Sequence, residues 1–139
     1  MQGTISETRQ IPVKDKFDLI ICGAGVAGIA GEDTFNGEER HYDTSIGMVG
    51  DFRRPGRHFE FPLGMIYNGN FPNILAAGRI ASADGDGWEI SRVIPSAALT
   101  GQASGIAASL MVKHMKKASE LNIGEVQKIL EKNNISLHF

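Results

Sequence analysis

Residues 17–30 read FDLIICGAGVAGIA, an apolar run that passes directly into three spaced glycines. Gly23 permits a tight turn, Gly25 permits close approach of a phosphate because it lacks a Cβ, and Gly28 permits close helix–strand packing. The amide groups at the start of a following helix would then face the phosphate charge. This order of strand, glycine turn and helix-compatible residues predicts a dinucleotide-binding unit, and a glycine turn of purely structural role is the alternative.

The length and composition of the chain limit its possible partners. Its 139 residues suit a single domain with its own core, and the net charge of -2 offers no basic excess for nucleic acid. The single cysteine, Cys22, excludes an internal disulfide and suits a reducing compartment. No apolar stretch approaches the roughly 20 residues of a membrane span. We therefore expect a cytoplasmic protein that binds neither nucleic acid nor membrane.

The whole chain is predicted to form one shortened α/β domain over residues 1–139. Turn signals and apolar runs divide it into five segments. These are an extended arm (1–16), a strand–turn–helix unit (17–30), a β-hairpin (45–67), a strand–loop–helix unit (73–117) and a C-terminal helix with its tail (123–139).

The hairpin is predicted from two short β-like runs on either side of Pro55 and Gly56, a dipeptide typical of turns. Strand alternation in the second run places Phe59 and Phe61 on one face and Glu60 on the other. The arginines around the turn favour a solvated tip, with an anion-binding loop as the alternative.

A second apolar run that ends in glycine, NILAAG at residues 73–78, predicts a strand parallel to the first. The glycine-rich stretch 79–89 is predicted to be a polar loop. A long helix follows over residues 96–117, where small residues allow close packing on a sheet, and a last helix covers residues 123–132. The C-terminal tail is expected to be a short strand or a docked end.

Together these segments resemble the FAD-dependent oxidoreductase family, which has a glutathione-reductase-like FAD-binding domain. The resemblance covers most of the chain from about Arg9. Three pieces carry it: GAGVAG at residues 23–28, NILAAGR at 73–79, and RVIPSA at 92–97 continuing to TGQA at 100–103. The resemblance implies a reduced Rossmann-like FAD/NAD(P)-binding fold, with a small parallel-rich sheet, one long C-terminal helix and a β-hairpin.

The resemblance also implies FAD as the cofactor and assigns residues to parts of it. The glycine turn would bind the pyrophosphate, Gly78 and Arg79 would approach the pyrophosphate and ribityl chain from the other side, and residues 92–94 would contact the flavin ring. No side chain is assigned as catalytic, because the flavin itself would carry the electrons. The implied cofactor-binding residues are Gly23, Gly25, Val26, Ala27, Gly28, Gly78, Arg79, Arg92, Val93, Ile94 and Gly101.

The chain departs from the family pattern between Ala30 and about Glu38. Most of the crossover helix, the second strand with its ribose-binding acid and the substrate domain are expected to be missing there. Asp43 has roughly the right offset for that acid, but no apolar strand leads into it. A natural shortening, an internal deletion and an unrecorded middle segment would each explain the departure, so adenosine binding and the substrate stay open.

Three functions remain open at this point. The first is a flavoprotein oxidoreductase, or its cofactor-binding shell, that acts on an unknown small-molecule substrate. The second is a non-catalytic remnant that has lost FAD and acts through self-association, since a homo-oligomer could cover an exposed sheet edge. The third is binding of NAD or ADP at the glycine turn.

Several further side chains carry open alternatives. Arg79 is expected to contact the pyrophosphate, and a solvated arginine is the alternative. Arg92 is expected either to orient the flavin or to pair with Asp84 or Asp86, and Trp88 either to cover the flavin or to pack in the protein. No metal site is expected, because the four histidines show no ligand spacing: His41, His58, His114 and His138.

Overall fold

In the computed structural model, which describes residues 20–23 and 29–139, four strands and three α-helices form a mixed α/β structure. The strands are β1 Ile20–Gly23, β2 Ser45–Gly50, β3 His58–Pro62 and β4 Ile74–Ala77. The α-helices are α1 Gly85–Ser91, α2 Ile94–His114 and α3 Ile123–Lys132. Short 3₁₀ turns cover Leu63–Ile66, Gly78–Ile80 and Ala118–Glu120. The predicted arm over residues 1–16 lies outside the described residues.

β1 and β4 form a parallel pair, with Ile20 opposite Ile74 and Gly23 opposite Ala77. The carboxyl ends of the two strands therefore lie at the same edge. Apolar runs of this kind suit a parallel pair because such strands are normally covered by helices. Leu75 of β4 is fully buried in a cluster with residues of α2, namely Ala107, Ala108 and Met111.

β2 and β3 form an antiparallel pair whose register shifts between Ser45 and Gly47. Phe59 and Phe61 of β3 are fully buried, and the centroid of the Phe61 ring lies 4.8 Å from that of Phe35. These rings belong to the larger of the two core clusters found in the described part of the chain. The described strands thus divide equally between a parallel and an antiparallel pair, so parallel pairing does not dominate.

The stretch predicted to be a polar loop, residues 79–89, is largely helical in the structure. A 3₁₀ turn covers Gly78–Ile80, and α1 begins at Gly85. Gly87 lies so close to the core that a Cβ there would overlap the carbonyl oxygen of Phe35. Ile90 is fully buried and anchors the helix. The expected loop was wrong because Gly87 permits close packing of a short helix against the Phe35 backbone.

α2 begins at Ile94 instead of residue 96 and ends at His114 instead of residue 117. Pro95 is compatible with the first turn, where a backbone N–H would have no helical partner. Met115 ends the helix in the left-handed conformation, with a φ of 51°. Among the described helices, none has both the length and the apolar character needed to cross a membrane.

The C-terminal tail docks on β2. The backbone N–H of Met48 donates to the Ser136 carbonyl at 2.9 Å, and the Ser45 hydroxyl donates to the Leu137 carbonyl at 2.6 Å. The Leu137 side chain is buried in the larger core cluster. Of the two arrangements predicted for the tail, the docked end is therefore the one observed.

Candidate cofactor site

The carboxyl ends of β1 and β4 form one edge of the parallel sheet. Gly23 ends β1 directly beside Ala77, the last residue of β4, and Gly78 then starts a 3₁₀ turn. Crevices beyond the carboxyl ends of parallel strands are where α/β folds bind ligands. The two strands whose ends were predicted to contact a cofactor therefore end side by side.

The described chain resumes at this same edge after the glycine turn. The N–H of Ile29 donates to the Ile80 carbonyl at 2.8 Å, and the N–H of Phe35 donates to the Ser82 carbonyl at 3.1 Å. Gly23 therefore lies beside the end of β4, and Ile29 lies beside the 3₁₀ turn that follows it. The other predicted phosphate-binding residues lie outside the described residues: Gly25, Val26, Ala27 and Gly28.

Gly78 is the residue at which the chain turns away from β4. Its φ of +70° lies in the left-handed region that favours glycine. Its N–H donates to the hydroxyl oxygen of Thr100 at 2.8 Å, and that hydroxyl donates to the Ser96 carbonyl at 2.8 Å. Since the Gly78 amide is bonded within the protein, Gly78 contributes space and backbone shape to the edge, not a free N–H.

α2 begins beside this edge without a side-chain cap. Val93 precedes the helix and has no side-chain oxygen that could accept from the first-turn amides, while its carbonyl accepts from the Ala97 N–H at 2.9 Å. The Ser96 hydroxyl donates to the Ile90 carbonyl at 2.7 Å. Ile94, the first helical residue, is 86 % exposed. The amides and the positive end of an uncapped helix favour an anion or an electron-rich group.

Two surface cavities lie on either side of Arg79. One has a volume of about 350 Å³ and is lined by Ala77, Gly78, Arg79, Arg92, Ile94 and Ala97. The other has a volume of about 300 Å³ and is lined by Ile29, Ala30, Arg79, Trp88 and residues 81–83. Both volumes are near the lower end of the range for ligand pockets, roughly 300–1,000 Å³. Arg79 is exposed, lines both cavities and forms no ion pair with any other described residue.

Arg92 pairs with a residue that the sequence did not single out. Its Nη2 lies 2.6 Å from Oε2 of Glu89, and its guanidinium lies 4.6 Å from the centroid of the Trp88 ring. Asp86, one of its predicted partners, instead binds Arg53 with a distance of 2.7 Å between Oδ1 and Nη1. The difference follows from α1, which places Glu89 one helical turn before Arg92.

Gly101 lies on the same side of α2 as Ala97, one helical turn further along. Apart from its chain neighbours and the nearby backbone of α2 itself, no described atom lies within 4 Å of a Cβ built on Gly101, and the same is true of Gly105. Toward the described residues, this face of α2 therefore carries no bulky side chain at Gly101 and Gly105 and is not covered there. Gly101 lines neither cavity, so it borders the site without forming its wall.

A cluster of charged residues joins the β2–β3 loop to α1, and sequence reasoning missed it. Arg53 binds the buried Asp51 through both carboxylate oxygens, with Nε–Oδ1 at 3.0 Å and Nη2–Oδ2 at 3.2 Å, and also binds Asp86. These hydrogen bonds from the guanidinium lower the pKa of both aspartates. No local pattern could reveal this cluster, because Asp86 lies in the stretch predicted to be a loop.

The residues at this edge fit the phosphate and flavin portions of FAD. They offer an arginine without an ion-pair partner among the described residues, an uncapped helix start and two open cavities. They do not offer a ribose-binding acid, since no carboxylate of the described residues lines either cavity. Asp43, the residue with roughly the right offset for that acid, lines neither cavity. Its side chain is fully exposed, and its Oδ1 lies 3.4 Å from His41 Nε2.

Comparison with known proteins gives one family. Residues 38–130 match the family described as FAD dependent oxidoreductase. The matched segment contains β4, Arg79, α1 and α2, and it excludes the glycine turn. No curated protein and no solved structure matches the chain.

Proposed function

The chain belongs to the FAD-dependent oxidoreductase family, and on that premise we propose that it binds FAD at the carboxyl ends of β1 and β4. The observation that carries the proposal is the parallel register with Gly23 beside Ala77, which joins two of the segments assigned to the cofactor. We infer that the chain is the cofactor-binding part of a flavoprotein oxidoreductase whose substrate is a small molecule.

We propose that the pyrophosphate binds between the glycine turn and Arg79. Gly23, Gly25 and Gly28 would give the backbone the room to approach it, together with the amides of Val26 and Ala27. Arg79 supports this assignment because it is exposed beside both cavities. Charge-assisted hydrogen bonds from a guanidinium to a phosphate are among the stronger ones in proteins.

We propose that Arg92, Val93 and Ile94 contact the flavin ring. The ring would cover the exposed side chain of Ile94, and the first-turn amides of α2 would favour electron density near them. Gly101 would keep the adjoining surface of α2 low enough for the ring. FAD supplies the redox chemistry when bound, while these residues bind it, orient it and exclude water.

Reconstitution with FAD tests the proposal. Purified protein is incubated with FAD, freed of unbound cofactor, and examined by visible absorption and by calorimetric titration. We expect flavin bands that stay with the protein. Arg79→Ala should weaken binding by about 1.5–3 kcal/mol, roughly 10- to 150-fold, because a hydrogen bond to a charged group is lost. Arg54→Ala is the matched control, since Arg54 is exposed and lines neither cavity.

Two other outcomes of these experiments would favour the alternative functions, a non-catalytic remnant or the binding of a smaller nucleotide. A folded protein that takes up no FAD contradicts the proposal and favours the non-catalytic remnant. Thermal stabilisation by NAD or ADP, but not by FAD, favours binding of a smaller nucleotide, because a ligand of the folded state raises its stability.

We also propose a homo-oligomer in a reducing, cytoplasmic compartment. Exposed apolar side chains near the end of α2, Val112 at 56 % and Met115 at 94 %, support self-association. The single cysteine, Cys22, supports the compartment. The molar mass in solution and the location of a tagged chain in cells test the two statements separately.

A further inference from the structure

A second group of chemically active side chains lies on the antiparallel sheet, where Glu60 of β3 meets two histidines. His138 Nδ1 lies 3.0 Å from Glu60 Oε2, and His41 Nδ1 lies 3.4 Å from Glu60 Oε1. The centroids of the two imidazole rings are 4.5 Å apart. One ligand atom from each of the three side chains lies within 4.8 Å of the others. His41 precedes β2 and His138 lies in the docked tail, so only the fold brings them together.

Glu60 is the unusual member of this group. Its side chain is fully buried. Strand alternation places it on the face of β3 opposite Phe59 and Phe61, so both faces of the strand are covered at this point. The backbone N–H of Tyr42 donates to its Oε2 at 2.8 Å, and no arginine or lysine among the described residues pairs with it. A buried carboxylate is costly unless a positive charge lies beside it. A divalent cation bound by the three side chains would supply that charge.

We propose that His41, Glu60 and His138 bind a divalent transition-metal ion of the zinc type. Imidazole nitrogen and carboxylate oxygen are ordinary zinc ligands. Ligand bonds of about 2.1 Å in a tetrahedral site set neighbouring ligand atoms about 3.4 Å apart. Each imidazole nitrogen already lies near this distance from one oxygen of Glu60, His138 Nδ1 at 3.0 Å from Oε2 and His41 Nδ1 at 3.4 Å from Oε1. One ligand atom from each of the three side chains lies within 4.8 Å of the others, so the site has to contract on binding the ion. The remaining adjustment is a rotation of two imidazoles whose side chains are partly exposed.

The surroundings of the three ligands are those of a metal site. His41 Nε2 lies 3.4 Å from Oδ1 of the exposed Asp43 side chain, so a small rotation of that side chain would let it accept the Nε2–H of a His41 that binds the ion through Nδ1. Such an outer carboxylate fixes the tautomer and the orientation of a ligating imidazole. The Tyr42 amide orients Glu60 in the same way. Because both histidines are partly exposed, a fourth ligand position is open to water.

An ion at this position would join the segment before β2, the strand β3 and the C-terminal tail. It would stabilise the folded chain in proportion to the free ion concentration, because the unfolded chain does not assemble the three ligands. None of the three ligands lines either cavity beside Arg79. The metal site is therefore independent of FAD binding.

Zinc titration of the full, metal-free chain tests the site. Competition with a chromogenic chelator near neutral pH measures the bound ion, and thermal unfolding measures its effect on stability. We expect uptake of a single zinc ion and a raised melting temperature. His41→Ala and His138→Ala should each abolish stoichiometric uptake, and Asp43→Asn should weaken it about 10- to 100-fold. Far-UV circular dichroism of each variant checks that the fold is kept, which we expect because the three substituted side chains are exposed or partly exposed.

His114→Ala is the matched control. His114 Nε2 also meets a carboxylate, 3.0 Å from Glu125 Oε2, but no second histidine joins that pair among the described residues. This variant should take up zinc like the unaltered chain. Equal zinc uptake by the double variant His41→Ala, His138→Ala would overturn the proposal. The absence of stoichiometric uptake by the folded, unaltered chain would overturn it as well.

Discussion

Replacing glycine by alanine should change the stability of the fold in opposite directions at two positions, Gly78 and Gly105. Gly78 has a φ of +70°, a conformation that costs an L-residue roughly 1–2 kcal/mol. Gly105 lies inside α2, and no described atom would touch an added Cβ. We expect Gly78→Ala to destabilise the fold by about 1–2 kcal/mol. Gly105→Ala should stabilise it by up to about 1 kcal/mol, because alanine favours helix.

Urea unfolding of the two variants, followed by circular dichroism, measures these changes. The two substitutions add the same atoms, so each serves as the control for the other. Equal destabilisation by both would contradict the backbone conformation assigned to Gly78 and the open face assigned to α2.

At the scale of elements, Arg53 connects the β2–β3 loop to α1 and makes stability depend on pH. The pKa values of Asp51 and Asp86 are lowered in the folded chain, chiefly by hydrogen bonds from Arg53. Groups with a lowered folded pKa stabilise the fold above their unfolded pKa, near 3.9 for aspartate, and lose that contribution as the pH falls through the folded value.

Arg53→Gln should therefore lower the urea midpoint at pH 7 and make stability fall less steeply below about pH 4. Urea unfolding at several pH values between 2 and 7 measures both effects. Arg54→Gln is the control, because the neighbouring arginine is exposed and forms no ion pair with the described residues. A variant at position 53 that keeps the pH dependence of the unaltered chain would contradict this role.

The docked tail should contribute to stability through one side chain. Leu137 is buried in the larger core cluster, whereas Phe139 is 67 % exposed. Leu137→Ala should cost about 2–5 kcal/mol, because it removes packed atoms and leaves a cavity. Phe139→Ala should change stability by no more than about 0.5 kcal/mol. Similar unfolding midpoints for the two variants would show that the tail does not dock.

The helices show how far local sequence predicts these elements. α3 has the predicted bounds, Ile123–Lys132, because Asn122 caps its start and apolar residues recur at helical spacing. α1 is not predictable in this way, since its glycines resemble those of a loop. Gly87 fits there because any larger residue would overlap the Phe35 carbonyl, and Asp86 forms an ion pair with Arg53. Both are tertiary contacts, which no local pattern contains.

At the scale of the whole molecule, the pairing of β1 with β4 was predictable and the site around Glu60 was not. Two apolar runs that each end in glycine predict neighbouring parallel strands, and the register places Gly23 beside Ala77. The histidines around Glu60 meet only because the tail docks on β2. Their spacing along the chain therefore gave no sign of a ligand set, and only the fold brings the three ligands together.

The central proposal is that FAD binds where the ends of β1 and β4 meet α2. Hydrogen–deuterium exchange of the purified chain, with and without saturating FAD, tests this most directly. FAD should protect amides in residues 20–30 and 79–80 and in the first turns of α2, and should leave β2 and β3 unchanged. Stoichiometric FAD binding without protection of these segments, or with protection confined to β2 and β3, would contradict it.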